Sequence, residues 1–233
     1  MRTTVDFHPS ENDISVIQML AEKEKGMRFS LYHNWDIAKG YYKEGHFSVL
    51  KLNSRPIGYS AWREYDNEYV KIEFIWIDSF YKKKGFGQEF QIQLSKYFQK
   101  FGYAVIVVSC ASNEGDKLSK RMGFIPCEHE YCDNNNDRYL PLNPYQTATF
   151  ISDTSKICKY IEYGSEASSI VRKVSLDNIS QSSPLLIDIP SNWNIKLIHQ
   201  ENIILSTQAK RLNKKIRIHE INYQFFVFYE DIF

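Results

Sequence analysis

This sequence of 233 residues lacks paired cysteines and long apolar runs. Its four cysteines include no C-x-x-C pair, and no apolar run approaches the roughly 20 residues needed to span a bilayer. The N-terminus, MRTTVDFHPS, has no apolar core of the kind found in secretory signals. We therefore expect a reduced, cytoplasmic protein with no membrane partner.

A dominant charge is also missing. Lys and Arg (29) nearly cancel Asp and Glu (28), so the overall charge predicts no nucleic-acid partner. The chain is 43% hydrophobic, which is enough for a substantial core. Its length allows one domain with an appendage or two modest domains.

The first third of the chain predicts helices followed by a β-meander. A short strand, TTVDFH, precedes a helix that Ser10 can cap, and a second helix is expected over Leu31 to Tyr42. The runs HFSVLKLN, PIGYSAWREY and EYVKIEFIWI are joined by short turns and predict three antiparallel strands. Because Ile72 to Ile77 is apolar on both parities, we expect both faces of the third strand to be covered.

The next segment predicts a parallel crossover. An amphipathic helix is expected from Gly85 to Gly102, and the apolar strand YAVIVVSC follows it. Strand, helix and strand in this order predict two parallel neighbours in one sheet. A further helix, EGDKLSKRM, ends at Gly123, and DRYLPLN predicts a later strand.

Beyond about Pro144 the composition changes. A helix is predicted over Glu166 to Val174, among Ser-rich linkers. The runs LLIDIP, NIKLIHQENIILSTQ and IRIHEINYQFFVFYE predict strands. We predict a first domain at residues 1–145 and a smaller, β-rich C-terminal domain at residues 146–233.

The most concentrated signal is the loop KKKGFGQ, which joins the third meander strand to the amphipathic helix. Glycines allow the backbone to approach a ligand closely, and the start of a helix presents unpaired N–H groups. With the lysines, this arrangement suits an anion. A solvated basic turn fits the loop taken alone equally well. The Rossmann pattern G-x-G-x-x-G and the Walker A ending Gly-Lys-Ser/Thr are both absent.

In context, the loop resembles the pyrophosphate loop of the GNAT acetyltransferase superfamily, which reads Arg/Gln-x-x-Gly-x-Gly/Ala. A lysine, Lys82, stands at the first position here. The later stretch KLSKRMGF, Lys117 to Phe124, resembles the family's helix that ends in Gly-Phe. The resemblance covers about residues 1–145. It implies an α/β (α+β) fold with a mixed, mostly antiparallel sheet flanked by helices.

The resemblance also implies an acetyl-CoA-dependent N-acetyltransferase that transfers an acetyl group directly to an amine, in a small molecule or a protein. The sheet is expected to splay along the central strand, so that its backbone binds the pantetheine arm of acetyl-CoA. The N–H of Ile75 would polarise the acetyl carbonyl. The lysines would also meet the 3′-phosphate. The implied cofactor-binding residues are Ile75, Trp76, Ile77, Lys82, Lys83, Lys84, Gly85, Phe86, Gly87 and Gln88.

The resemblance also implies candidate catalytic residues. Glu73 is the candidate general base, because it has the sequence parity of Ile75 and Ile77; a surface partner for Lys71 is the alternative. Ser119 stands where the family commonly has a tyrosine that protonates the thiolate. A serine is a poor acid, so water, Tyr131 or no dedicated group could serve instead.

An asparagine that often contacts the cofactor in this family corresponds here to Ser112 or, if one residue is skipped, to Asn113.

Other features leave alternatives open. CEHEYC, which includes His129, lacks the spacing of structural zinc sites, so we predict no metal. The basic run from Lys210 to Arg217 predicts a solvated turn, with an RNA contact as the minority interpretation. The rival hypotheses are a non-catalytic acyl-CoA-binding module and a toxin-like acetyltransferase of charged tRNA. The C-terminal domain could serve acceptor recognition or a homodimer.

Overall fold

A computed structural model describes residues 3–26, 31–65, 69–127, 137–146, 150–165, 171–177, 179, 185–190, 192–212 and 224–228. The chain divides into two compact units. The first comprises Met1–Pro126 and Asn136–Leu142, and the second comprises Cys127–Asn135 and Asn143–Phe233.

The first unit contains a seven-stranded sheet among its described residues. Its strands are β1 (Thr3–Asp6), β2 (Phe47–Leu52), β3 (Arg55–Tyr65), β4 (Tyr69–Ile77), β5 (Val105–Ser109), β6 (Ile125–Pro126) and β7 (Asp137–Pro141). Their order in the sheet is β1-β2-β3-β4-β5-β7-β6. Every pair is antiparallel except β4 and β5, which are parallel, as the crossover predicted. The fold is therefore a mixed, mostly antiparallel α/β fold, as expected.

Four α-helices flank this sheet: α1 (Glu11–Lys23), α2 (Trp35–Lys43), α3 (Phe86–Lys100) and α4 (Asn113–Arg121). The predicted N-cap of α1 is confirmed, since the Ser10 hydroxyl accepts a hydrogen bond from the Asp13 N–H and the Asp13 carboxylate accepts one from the Ser10 N–H. The two bonds form a capping box, which satisfies N–H groups that the helix leaves unpaired.

The two faces of the sheet carry separate apolar layers. On the α3 face, Phe90, Leu94 and Phe98 of the helix pack with strand residues that include Trp62 and Ile72. On the opposite face, which we call the α1/α2 face, a second cluster joins both of those helices to β2 and β3, through Ile17, Leu20, Trp35, Ala38, Val49, Tyr59 and Ala61. The cluster that a strand residue joins therefore shows on which face of the sheet its side chain lies.

The second unit is rich in β structure. Its strands are β8 (Lys159–Gly164), β9 (Val171–Ser175), β10 (Leu185–Ile189), β11 (Asn194–His199), β12 (Asn202–Gln208) and β13 (Gln224–Phe228). An antiparallel four-stranded sheet has the order β12-β11-β8-β9, and β10 pairs with β13.

The predicted helix over Glu166 to Val174 is wrong where it can be compared: residues 171–174 belong to β9, which pairs with β8. Val174 is fully buried there, as suits a β-branched residue in a sheet.

Candidate functional site

The two central strands of the first unit, β4 and β5, are paired along only part of β4. This strand pairs with β3 from Tyr69 to Ile77, but its pairing with β5 ends at Ile72, opposite Val108. In the part of the chain that the structure describes, the backbone of residues 73–77 has no strand neighbour on its β5 side. We call this stretch of β4, from Glu73 to Ile77, the splay; its backbone groups on the β5 side are without a strand partner in the described ranges.

Ile75 lies along this splay and is 37% exposed. The prediction that Ile72 to Ile77 is covered on both faces is therefore wrong at this residue, because β5 has already diverged. The side chains of the next two residues, Trp76 and Ile77, make contacts with the rest of the first unit. The Trp76 indole donates a hydrogen bond of 3.1 Å to the buried Glu24 carboxylate, and Ile77 is buried in the α3-face cluster.

A β-bulge marks the start of the splay. Ala61 is opposite Phe74 and Trp62 is opposite Ile72, so Glu73 is the extra residue on β4. A bulge disturbs the alternation of side chains between the two faces of a strand. Thus the even-numbered Ile72 joins the α3-face cluster before the bulge, whereas the odd-numbered Ile77 joins it after the bulge.

Glu73 therefore does not share a face with Ile77, and the parity argument for it is wrong. Its Oε2 lies 3.6 Å from Lys71 Nζ, and its Oε1 lies 4.0 Å from Arg63 Nε. Arg63 Nη2 in turn donates to the hydroxyl of Tyr41, a member of the α1/α2-face cluster. These contacts assign Glu73 to the α1/α2 face, at the start of the splay.

The Glu73 carboxylate is partly buried and loosely paired. Its side chain is 21% exposed, and both cation contacts are longer than a normal hydrogen bond of about 3 Å. Lys71 is thus a partner of Glu73, as the alternative interpretation held. Neither contact occupies the lone pairs of the carboxylate as a short hydrogen bond would.

The loop after β4 is shaped for the start of α3. Gly85 is the N-cap of the helix and has φ of 87°, a left-handed conformation that L side chains rarely adopt. No side chain caps the helix. The N–H groups of Phe86, Gly87 and Gln88 precede the first helical bond, which runs from Glu89 N to Gly85 O. An uncapped helix start with such amides and its dipole favours an anion.

The three lysines add positive charge to this site. Lys82, Lys83 and Lys84 are all exposed, and none of them makes an ion pair within the described residues. Lys84 Nζ lies 4.3 Å from the centroid of the Phe80 ring, a cation–π contact that orders its side chain. The loop thus combines free amides with an uncompensated positive field.

The predicted residues on α4 have local roles. Ser112 is the N-cap, and its hydroxyl accepts a hydrogen bond of 3.1 Å from Gly115 N. Asn113 is exposed at the first position of the helix. Ser119 is buried, donates to the carbonyl of Asp116 at 2.9 Å and lies 3.3 Å from Cys110 Sγ. Its hydroxyl proton is therefore engaged within its own helix, which disfavours Ser119 as an acid.

Several features of the sequence lie outside the residues that the structure describes. Tyr131, His129 and Cys132 lie outside the described residues, as does the part of the basic run at residues 213–217. Among the described residues, no group of three His, Cys, Asp or Glu side chains is arranged to hold a metal ion. No helix in the described ranges has the length and apolar character required to cross a membrane.

Sequence reasoning missed two features of this site. It did not identify Arg63, because its contact with Glu73 depends on strand register and on the bulge. It also did not identify two polar side chains on α3 with buried, unpartnered atoms among the described residues, Gln91 Nε2 and Ser95 Oγ, although their spacing of four was available as a signal.

Comparison with known proteins concerns the same part of the chain. Residues 14–124 match the family model described as the acetyltransferase (GNAT) family. A comparison with curated proteins finds no match.

Several solved structures are similar to the chain. The ribosomal-protein-S18-alanine N-acetyltransferase of Escherichia coli is 15% identical with a TM-score of 0.48, and the match covers 60% of this chain and 94% of that chain. A GNAT-family acetyltransferase of Staphylococcus aureus Mu50 is 9% identical with a TM-score of 0.49, covering 61% and 100%. The PaiA N-acetyltransferase of Thermoplasma acidophilum, in complex with coenzyme A, is 15% identical with a TM-score of 0.47, covering 60% and 99%.

Proposed function

We propose that the protein is an acetyl-CoA-dependent N-acetyltransferase, a proposal supported by the match of residues 14–124 to the family model of the acetyltransferase (GNAT) family. It transfers the acetyl group directly to an amine while both substrates are bound. The observation that carries the proposal is the splay of β4 from β5 beyond Ile72, combined with the uncapped start of α3 at the end of the same strand.

The residues present fit acetyl-CoA. The free backbone along Glu73 to Ile77 offers hydrogen bonds to the pantetheine arm, as a neighbouring strand would. The amides of Phe86, Gly87 and Gln88 suit the pyrophosphate, and the three adjacent lysines suit its charge and that of the 3′-phosphate. Of the α4 candidates, Asn113 has a side chain that is free to contact the cofactor, whereas the Ser112 hydroxyl already caps its helix.

Acetyl-CoA supplies an activated thioester, and the chain supplies the rest. In our proposal the main-chain N–H of Ile75 stabilises the negative charge that develops on the acetyl oxygen. Glu73 removes a proton from the acceptor amine, directly or through water, so that its nitrogen can form the new C–N bond. The C–S bond breaks, and the departing thiolate takes its proton from water, because the Ser119 hydroxyl is already engaged.

No covalent enzyme intermediate is involved. The loop and β4 contain no cysteine. Cys110, the cysteine next along the chain, is buried against Ser119 rather than paired with a base.

The test measures binding and turnover separately. We expect CoA and acetyl-CoA to bind in isothermal titration calorimetry, and free thiol to appear when acetyl-CoA is mixed with an amine from an acceptor panel. Replacing Lys82, Lys83 and Lys84 together by Gln should weaken CoA binding, since each lost phosphate contact removes a charge-assisted hydrogen bond. Wild-type protein that binds neither ligand would refute the proposal.

A second candidate is a CoA-binding module without turnover. The engaged hydroxyl of Ser119 favours it, because the described residues supply no side chain at that position to protonate a thiolate. Tight CoA binding with no thiol release across amines of differing charge and size would support this candidate over the enzyme.

A further inference from the structure

Two polar side chains on α3 have buried polar atoms without partners among the residues that the structure describes. Gln91 is only 4% exposed, and its Nε2 has no hydrogen-bond acceptor in those ranges; the buried Oγ of Ser95 also has no partner there. Residues four apart lie on the same side of a helix, so Gly87, Gln91 and Ser95 form one stripe. A Cβ at Gly87 would lie 3.5 Å from Leu118 Cδ2, which shows that the stripe is turned towards α4.

The stripe also extends along the sheet in the direction of the splay. Because α3 joins two parallel strands, it runs back along the sheet from the end of β4. Gln91 is about 9 Å along the helix from Gly85 at about 1.5 Å per residue. That distance equals the rise of about three strand residues, so Gln91 lies about that far along the sheet from the start of α3. By the same count, Ser95 lies about 15 Å from Gly85, deeper along the same stripe.

We propose that Gln91 is a binding residue for the pantetheine arm, and that its Nε2 donates a hydrogen bond to an amide carbonyl of that arm. The inference rests on the proposed function, since it requires CoA to lie along the splay. The arm would then be held from two sides, by the backbone of β4 and by the side chain of α3. Gly87, one turn earlier on the stripe, has no side chain to occupy the space beside Leu118.

The unpaired Gln91 donor destabilises the free protein, which is the reason to expect a ligand at this position. A buried amide donor without an acceptor loses its hydrogen bonds to water and gains none, so it disfavours folding. A leucine of similar size would fill the same space without that penalty, as Leu94 does on the neighbouring part of α3. The buried Gln91 donor is explained if a carbonyl of bound CoA accepts its hydrogen bond. An internal water is the competing acceptor.

The test compares Gln91→Leu with wild type, using CoA and adenosine 3′,5′-bisphosphate, which lacks the pantetheine arm. We expect about 3- to 10-fold weaker CoA binding, the range of one lost neutral hydrogen bond, and unchanged binding of the bisphosphate. The free variant should melt at a higher temperature than wild type. Gln91→Met, which also lacks the donor but is unbranched, guards against misfolding of the leucine variant.

Gln93→Leu is the matched control. It lies on the same helix, but its carbonyl accepts from Val5 N of β1, on the flank away from the stripe. CoA affinity should stay at the wild-type value in that variant. Unchanged CoA affinity in both Gln91 variants would assign the donor to a water and overturn the inference alone. Equal losses for CoA and the bisphosphate would also overturn it, whereas wild type that binds no CoA would refute the proposed function itself.

Discussion

At the scale of single residues, the bulge at Glu73 determines which side of the sheet carries the proposed base. Without the extra residue, the alternation of β4 would direct Phe74 and Trp76 to the same face as Ile72. With it, Phe74 and Trp76 pack against the α1/α2-face cluster, and Glu73 contacts Lys71 and Arg63. One carboxylate is thus fixed beside the point where the sheet opens.

Glu73→Gln should therefore separate catalysis from binding. The amide keeps the size of the side chain but cannot accept the proton of the amine, so we expect the rate of thiol release at neutral pH to fall by about 10²- to 10⁴-fold. The Kd for CoA should stay within about twofold, because Glu73 is not proposed to hold the cofactor. Steady-state kinetics and calorimetry measure the two effects.

Glu64→Gln is the control for this variant. Glu64 accepts a hydrogen bond from the buried Trp62 indole, so it is a carboxylate of the neighbouring strand with a structural partner. We expect it to change stability rather than rate. If Glu73→Gln lowered CoA affinity and rate in parallel, Glu73 would have a structural role and the general base would lie elsewhere.

At the scale of elements, the start of α3 combines a left-handed N-cap residue with the backbone amides that we propose to bind CoA. Its two glycines serve different needs. Gly85 requires a left-handed conformation, with open space around it, whereas Gly87 is helical and meets only an ordinary contact with Leu118. An alanine is thus strained at the first position and tolerated at the second.

Gly87→Ala should stabilise the free protein and weaken CoA binding. Alanine favours the helix over glycine by up to about 1 kcal/mol, so the melting temperature should rise. The added methyl group would narrow the approach to the helix amides, and we expect roughly tenfold weaker CoA binding, equivalent to about 1.4 kcal/mol. Differential scanning fluorimetry and calorimetry report the two changes. A higher melting temperature with unchanged CoA affinity would remove Gly87 from the site.

Elements with strong local signals could be predicted from the sequence, and pairing details could not. The periodicity of α3, the cap at Ser10 and the apolar run of β5 are local properties, and all three elements were found. The bulge at Glu73 depends on the register between β3 and β4, which no short stretch of sequence specifies. For the same reason the face of Glu73 was wrongly predicted, whereas the lysine stretch from Lys82 was correctly predicted to lead into a helix, which begins at Phe86.

At the scale of the whole molecule, the two units have separate apolar cores. The core of the second unit includes Ile161, Val174, Trp193 and Leu197, all within that unit. The two clusters of the first unit contain none of these residues. We propose on this basis that the units are domains, and that the elements assigned above to CoA all belong to the first.

Ile161→Ala tests that division. Ile161 is fully buried on β8, between β9 and β11, and its truncation should cost about 2–5 kcal/mol in the unfolding free energy of the second unit. Hydrogen exchange followed by mass spectrometry should show faster exchange in residues 159–164 and 194–208, with residues 47–65 and 69–77 unchanged. CoA affinity should be retained. The reciprocal variant Ile17→Ala, fully buried on α1, should reverse the exchange pattern; faster exchange throughout the chain in both variants would mean that the units unfold as one cooperative domain.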